Sequence, residues 1–234
     1  MDTERYWEQA AERSWVVRSP KQHLATFGST SLSYYVVTEP VYHEFQPGKD
    51  EGVVRTGRVI AERPSIVTPY YAMHLQGFSS GAYDYFRHMA RQYGANSPGI
   101  LYQYRNEVHG MEIVGGLVPE IAHRISGDLD RRSESMAVVM VGVDEMWDVA
   151  LLKFIYEFTS RSAASNVQEL RARGLLDPQE HLGGVPRAAV KRIDELFREV
   201  EGGRDPEDLR CELDRWGVFD QYQDRFLSLF NRRR

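Results

Sequence analysis

The sequence has only one cysteine, Cys211. No intrachain disulfide can form, which excludes the small secreted domains that depend on disulfides and favours a reducing compartment. The residues after Met1, Asp-Thr-Glu-Arg, are not the basic and apolar regions with which a secretory signal begins. We therefore expect a cytoplasmic protein.

Long apolar runs are also absent. The most apolar stretch, residues 136–158, contains charged side chains that a membrane-spanning helix would have to bury in hydrocarbon. These are Asp144, Glu145, Asp148, Lys153 and Glu157. We expect no membrane association, and we predict that this stretch belongs to a protein core.

Positive charge is not in excess, because 29 Lys and Arg stand against 34 Asp and Glu, for a net charge of −5. Proteins that bind a nucleic-acid backbone cluster basic residues to neutralise phosphates. The one basic run, residues 232–234, is typical of a solubilising chain end. A nucleic-acid partner is therefore not expected.

Several motifs that identify enzyme classes are missing. The chain has no Gly-x-Gly-x-x-Gly, no Gly-Lys-Ser/Thr and no His-Glu-x-x-His, which argues against dinucleotide oxidoreductases, P-loop enzymes and zinc proteases. Cys211 has Asp208, Glu212 and Asp214 near it in sequence, and such acidic neighbours disfavour the reactive thiolate. A cysteine nucleophile is not expected.

Strand and helix patterns alternate through the first part of the chain. They predict a helix over 3–15 with Trp7, Ala10, Ala11 and Trp15 on one stripe, a strand over 32–38 and a loop over 40–52. They then predict a hairpin over 53–60 that turns at Thr56-Gly57, an edge strand over 65–68, a helix from Ser79 or Ser80 to Tyr93, one or two strands over 99–114, and a short helix over 119–125 that ends at Ser126-Gly127.

The apolar run from Met136 to Val141 predicts a strand that is covered on both faces. A helix of about 17 residues follows Asp144 and is apolar on most sides, so we expect protein to surround it. We predict that this strand and helix form the centre of the core. The predicted contacts join Val138–Val141 to Val149, Leu152, Ile155 and Tyr156.

Helical patterns occupy the rest of the chain. Ser165 and Gln168 form a capping-box pattern for a helix to Arg173, and helices are predicted over 187–201, from Asp205-Pro206 to Gly217, and from Asp220. The sequence thus predicts an α+β fold in which helices pack a mostly antiparallel sheet, followed by an all-helical C-terminal segment. The predicted domains are a core over 1–174, a linker over 175–187 and a helical extension over 188–234.

The C-terminal helices carry two apolar stripes. One stripe holds Val190, Ile193, Phe197 and Val200, and the other holds Tyr222, Phe226, Leu229 and Phe230. Stripes of this kind are rarely left in water. We predict that these helices either clamp the core domain or bind a protein partner, with a homodimer as one form of that partnership.

Carboxylates and imidazoles gather between residues 103 and 123. On a strand over 100–109, alternation would put Gln103, Arg105, Glu107 and His109 on one face. Glu120 and His123 stand three residues apart, which is one turn of a helix. Glu107, His109, Glu120 and His123 are therefore the candidate ligands for a divalent metal or an acid/base pair. The alternative is an antiparallel sheet with one solvated face.

Two other groups of residues are candidates for binding. Asp144 and Glu145 follow the predicted central strand and suit Mg²⁺, although Asp144 would also serve as a helix cap. Tyr70, Tyr71 and His74 follow Pro69 and would line a pocket for a flat or apolar ligand, or else plug the end of the sheet against the N-terminal helix. Gln103 and Arg105 complete the candidate ligand-binding set.

These patterns favour a non-enzymatic binding or protein-interaction protein, because packing is well specified and no catalytic motif is assembled. The alternative is a metal-dependent enzyme, most plausibly a hydrolase, that uses the Glu and His residues of 107–123. No cofactor is expected apart from that divalent metal.

Overall fold

The fold is described from a computed structural model, which covers residues 3–44, 50–75 and 80–231. Ser79 and the terminal arginines, for which predictions were made, lie outside these ranges. In chain order the elements are α1 Thr3–Glu12, β1 Trp15–Arg18, β2 Thr30–Glu39, β3 Glu51–Ala61, β4 Ser65–Val67, α2 Pro69–Met73, α3 Ser80–Tyr93, β5 Gly99–Leu101, β6 Tyr104–Gly115, α4 Val118–Arg131, β7 Ala137–Val143, α5 Trp147–Ala172, β8 Pro178–Gln179, β9 Val185–Pro186, α6 Arg187–Glu201, α7 Glu207–Trp216 and α8 Phe219–Asn231. Short 3₁₀ helices cover Val41–Glu44, Asp144–Met146 and Glu180–Leu182.

The chain divides into two compact units, each made of two segments. Met1–Arg63 and Tyr102–Asn166 form the first unit, and Pro64–Leu101 and Val167–Arg234 form the second. These bounds differ from the predicted domains over 1–174 and 188–234. The predicted α+β class is confirmed, since a mostly antiparallel sheet combines with helices and the C-terminal region is helical apart from the two-residue strands β8 and β9. Within the described ranges no helix is long and apolar enough to cross a membrane.

The first unit contains a five-stranded sheet in the order β1-β7-β2-β3-β6. β7 and β2 run parallel, and every other neighbouring pair is antiparallel. β7 is the predicted strand with two covered faces, and this prediction is confirmed because Ala137–Val141 are all buried. Val138 and Met140 pack with α5 on one face, while Val139 and Val141 pack with α4 on the other. These two faces are called the α5 side and the α4 side below.

Of the predicted core residues of α5, Ile155 packs against the core with Val138 and Met140, but most of the contact is made by a different stripe. Ala150, Leu151, Phe154 and Phe158 are buried on the sheet. Leu152 and Tyr156, predicted to be core residues, are 63% and 75% exposed. The prediction failed because α5 is apolar on more than one side, so its sequence leaves open which side rests on the sheet.

α5 is also longer than predicted, with 26 residues. Ser165 and Gln168 lie within it rather than capping a new helix, because no glycine or proline interrupts the chain between residues 147 and 172. α4 likewise continues past Ser126, whose hydroxyl donates to the carbonyl of Ala122 at 2.8 Å. At the N-terminus the helix ends at Glu12, and Trp15 begins β1 instead of closing the helical stripe.

Gly57 does not form the predicted hairpin turn, because β3 runs unbroken through it for 11 residues. The glycine serves a close approach instead. It pairs with Tyr34 of β2, and a Cβ at position 57 would lie only 2.3 Å from the Tyr34 hydroxyl oxygen. Tyr34 is fully buried, and its burial raises the pKa of the phenol while the side chain of Asn106 partly offsets that rise.

The second unit has a helical core of its own. Members of both predicted C-terminal stripes bury their side chains against one another and against α7. The buried residues include Ile193, Phe197, Val200, Leu209, Leu213, Trp216, Phe226 and Leu229. Gly217 ends α7 in the left-handed conformation, with φ of 66°, as predicted. The helices therefore cover much of the apolar surface that suggested a partner, and the partner itself stays a prediction.

The predicted linker over 175–187 has regular structure. β8 and β9 pair with each other, Gly184 donates its backbone N–H to Gln179, and Arg187 donates to Asp177. Leu175, Leu182 and Val185 are buried in the second unit. Elsewhere in that unit β4 pairs with β5, which confirms the short strand predicted over 65–68.

Candidate functional site

The clearest candidate site is β6, which forms one edge of the five-stranded sheet. Its inner side pairs with β3 from Tyr104 to Gly115. In the described part of the chain no strand pairs with its outer side, so the backbone there offers unpaired N–H and C=O groups along 12 residues. β6 is thus a long open edge.

A β-bulge at His109 interrupts the alternation of β6. Val108 pairs with Gly57 and Gly110 pairs with Thr56, so His109 has no partner in β3. An extra residue of this kind shifts the alternation by one, and side chains after the bulge change sides relative to a regular strand. The predicted polar row over 103–109 therefore ends at Glu107.

The bulge gathers apolar side chains on the α5 side of the sheet. Before it, Tyr104, Asn106 and Val108 lie beside Ala61, Val59 and Gly57 of β3, and Ala61 and Val59 pack in the α5-side core. After it, Met111 and Ile113 lie on the same side, since Met111 pairs with Arg55 and the Arg55 guanidinium reaches 5.9 Å from the ring of Trp147 in α5.

Three of these side chains, Val108, Met111 and Ile113, form what we call the apolar row. They are 62%, 65% and 59% exposed. Large apolar side chains exposed together normally mark a contact surface, whereas scattered ones need no explanation. Leu152 and Tyr156, the exposed residues of α5, lie one turn apart on a helix that also covers this side. One turn further along, the hydroxyls of Thr159 and Tyr104 are hydrogen-bonded, which joins that part of α5 to β6.

The α4 side of β6 is polar apart from Val114, which packs against the α4-side core. The carboxylate of Glu107 accepts from Arg58 of β3 at 2.6 Å and lies 3.1 Å from the guanidinium of Arg105. These contacts, the hydrogen bond from Arg58 first, lower the pKa of Glu107. Glu112 follows the bulge on the same side, since it pairs with Val54, which packs in the α4-side core. β6 thus carries Arg105 near one end and Glu112 near the other.

The predicted metal ligands are spread over β6 and α4. Glu107 is engaged with arginines, His109 is the bulged residue, and Glu120 lies in the first turn of α4. His123 places Nδ1 2.7 Å from the carbonyl oxygen of Pro119 in its own helix. Nowhere in residues 3–44, 50–75 and 80–231 do three or more His, Cys, Asp or Glu side chains form a group that could hold a metal. The metal site stays a prediction. Measuring the metal content of protein purified without an affinity tag would test it.

Asp144, the other predicted Mg²⁺ ligand, is committed to contacts within the protein. Its carboxylate lies 2.6 Å from Arg55 and accepts from the hydroxyl of Thr38 at 2.7 Å. Burial opposes ionisation of Asp144, but the hydrogen bonds from Thr38 and Arg55 outweigh it and hold the pKa below its usual value. It ties β2 and β3 to the start of α5, while Glu145 is exposed.

The candidate ligand-binding residues belong to separate units. Gln103 and Arg105 are exposed residues of the first unit. Tyr70, Tyr71 and His74 are in the second, in and just after α2.

The tyrosines of α2 pack on α7 and the glycine that ends it. The ring of Tyr71 lies 4.7 Å from that of Trp216, and its hydroxyl donates to Glu212 at 3.0 Å. Burial, followed by the charge of Glu212, raises the pKa of Tyr71 to about 12. Tyr70 lies against Gly217, and the ring of His74 is 4.5 Å from that of Tyr70. These contacts support a packing role for the cluster.

One sequence match corrects the expectation that the chain carries no catalytic motif. Gly77-Phe78-Ser79-Ser80-Gly81 fits the Gly-x-Ser-x-Gly pattern of α/β hydrolases, in which a strand leads directly into the nucleophile turn. Residues 76–79 lie outside the described ranges, and the described element before them is the helix α2. The described residues before the motif, 69–75, contain no strand.

The chain was compared with protein-family models, with characterised proteins and with solved structures, and it matches none of them.

Proposed function

We propose that this chain is a non-enzymatic protein-interaction protein that binds an extended segment of a partner along β6. The partner segment would add a strand to the sheet, and its backbone would bond to the open N–H and C=O groups of β6. Alternate side chains of the added strand would contact the apolar row. The observation that carries the proposal is the exposure of that row on an open edge strand.

The chemistry of β6 suits controlled binding better than an unprotected edge. Native proteins protect edge strands from aggregation with charges, bulges or covering elements. β6 has Arg105, Glu107 and Glu112 on its α4 side and a bulge at His109. These features disfavour pairing with strands whose charges or twist do not match those of β6. The apolar row on the α5 side is left available for a matching strand.

The test is to select peptides as long as β6 from a random library against the full chain. Bound peptides should protect the backbone amides of β6 from hydrogen exchange, because those amides would enter a new ladder. Met111→Lys and Ile113→Lys should weaken binding. The matched control is Leu227→Lys, since Leu227 is 50% exposed but lies on α8 in the second unit.

Two results would contradict the proposal. One is a set of selected peptides whose affinity is equally reduced by Leu227→Lys and by Met111→Lys. The other is protection that appears elsewhere in the chain while the amides of β6 exchange as before.

A further inference from the structure

We propose that the strand added to β6 is β6 of a second copy of the same chain, in an antiparallel pair about a two-fold axis. This inference rests on the proposed function and names its partner. The pair would join two five-stranded sheets into one continuous sheet. In a two-fold dimer both copies present the same surface patch to each other. The side chains of β6 must therefore complement those of a second β6 that runs antiparallel to it.

The bulge at His109 restricts the possible registers. Paired residues on two antiparallel strands must point to the same side of the joined sheet. Tyr104 and Asn106 precede the bulge on the α5 side, and Met111 and Ile113 follow it on the same side. Of the registers that pair β6 over most of its length, only those that set residues before the bulge against same-side residues after it satisfy this condition.

One such register also matches the charges. It sets Arg105 opposite Glu112 of the partner subunit, and by symmetry Glu112 opposite Arg105 of the partner subunit. Both residues lie on the α4 side, and opposite charges directly across a strand pair are favourable. Glu112 is exposed on β6, so its carboxylate is accessible to a partner.

The neighbouring registers are worse. A shift of two residues one way puts Glu107 opposite Glu112 of the partner subunit, which places like charges together at two symmetric positions. A shift of two residues the other way puts Arg105 opposite Gly110 of the partner subunit and sets Glu107 opposite Val108 of the partner subunit, although these two side chains lie on different sides of the sheet. Among the registers that use most of β6, charge and side-chain direction therefore select a single one.

The same register brings the apolar rows together. An axis perpendicular to the sheet puts the α5 sides of both copies on one face of the joined sheet. Tyr104 then lies opposite Ile113 of the partner subunit, Asn106 opposite Met111 of the partner subunit, and the two Val108 side chains flank the axis. Cross-strand contacts of this kind cover apolar area that the single chain exposes.

The size of the surface fixes the expected strength. β6 supplies 12 residues, whereas a standard stable interface uses about 20–30 residues a side. We therefore expect a reversible dimer whose population rises with protein concentration across the micromolar range. Sedimentation equilibrium of the full chain measures its dissociation constant.

Charge reversal tests the register. Arg105→Glu and Glu112→Arg should each raise the dissociation constant roughly ten-fold or more, because each puts like charges at two symmetric positions. The double variant Arg105→Glu/Glu112→Arg should return to within about three-fold of the wild type. Arg105 also lies 3.1 Å from Glu107 within its own strand, so Glu112→Arg is the cleaner single change, and thermal melts establish that each variant is folded.

Disulfide trapping gives a second readout. In a Cys211→Ser background, Arg105→Cys/Glu112→Cys should form a covalent dimer on mild oxidation, because directly opposite residues bring their Cβ atoms within disulfide range. Glu107→Cys/Glu112→Cys is the matched control and should cross-link only in the shifted register.

The outcomes separate this inference from the proposed function. A chain that stays monomeric at all concentrations while selected peptides still protect β6 overturns the dimer and leaves the function standing. A monomer whose β6 binds no peptide overturns both. A dimer that ignores both charge reversals, or one that the control cysteines trap in preference, overturns the β6 pairing proposed here.

Discussion

The contrast between Leu151 and Leu152 offers the sharpest test of how α5 packs. Leu151 is 2% exposed and belongs to the α5-side core with Val138 and Met140, whereas Leu152 next to it is 63% exposed. The two residues share a helix, a residue type and a helix propensity. Replacing each with alanine therefore isolates the effect of burial.

Leu151→Ala removes a buried side chain and leaves a cavity, which costs about 2–5 kcal/mol of unfolding free energy. Leu152→Ala removes a side chain that water already reaches, so we expect a change within about 0.5 kcal/mol. At about 2–4 °C per kcal/mol for a chain of this size, the two thermal midpoints should differ by at least about 3 °C.

Thermal melts give the two midpoints and denaturant melts give the two free energies of unfolding, each followed by tryptophan fluorescence and by circular dichroism. Two probes are needed because the chain has two units, each with its own core. Sedimentation equilibrium at the same concentration shows whether Leu152→Ala also alters self-association. Equal losses for the two variants, or a loss below about 1 kcal/mol for Leu151→Ala, would refute the packing described here.

Three further predictions concern single side chains. Gly57→Ala should lower the free energy of unfolding by roughly 1–3 kcal/mol in a denaturant melt, because the new methyl group overlaps Tyr34, and an unchanged melt would count against that close approach. Asp144→Asn should cost roughly 1–3 kcal/mol near neutral pH, since Arg55 loses its carboxylate partner. Folding lowers the pKa of Asp144, so the difference in unfolding free energy between the wild type and Asp144→Asn should be complete above the pKa of the carboxyl in the unfolded chain. It should disappear as pH falls through the pKa in the folded chain. A difference that persists in acid would refute the stabilising role of the ionised carboxylate. The pKa of Tyr71 is raised from 10.0 to about 12, so the wild type should lose stability as pH rises through that interval, and Tyr71→Phe should flatten the loss in melts that report on the second unit.

Some elements could be predicted because one physical constraint decides them. A strand as apolar as Ala137–Val141 is stable only with cover on both faces, which α4 and α5 provide. The stripe of Ile193, Phe197 and Val200 fixes both the helix α6 and the face that it buries.

Other features depend on the partner strand or helix, which the local sequence does not contain. Gly57 has the same sequence signature whether it makes a turn or admits a tyrosine from the next strand. The bulge at His109 becomes visible only when β6 is aligned with β3, and every side assignment after it changes as a result. This is why the predicted polar row combined residues that the structure separates, and why the apolar row was not foreseen.

The parallel pairing of β2 with β7 has a consequence for synthesis. β2 ends at Glu39, but its parallel neighbour β7 begins only at Ala137, so the middle of the sheet cannot close until the whole segment between them and β7 itself have left the ribosome. Residues 64–101 of the second unit emerge before that point, and the α6–α8 helices with which they share that unit emerge after it. Neither unit can therefore be completed before part of the other has been synthesised. A chain whose synthesis stops between β6 and α5 would expose the open edge of β6 and would lack the helix that packs on the α5 side of the sheet.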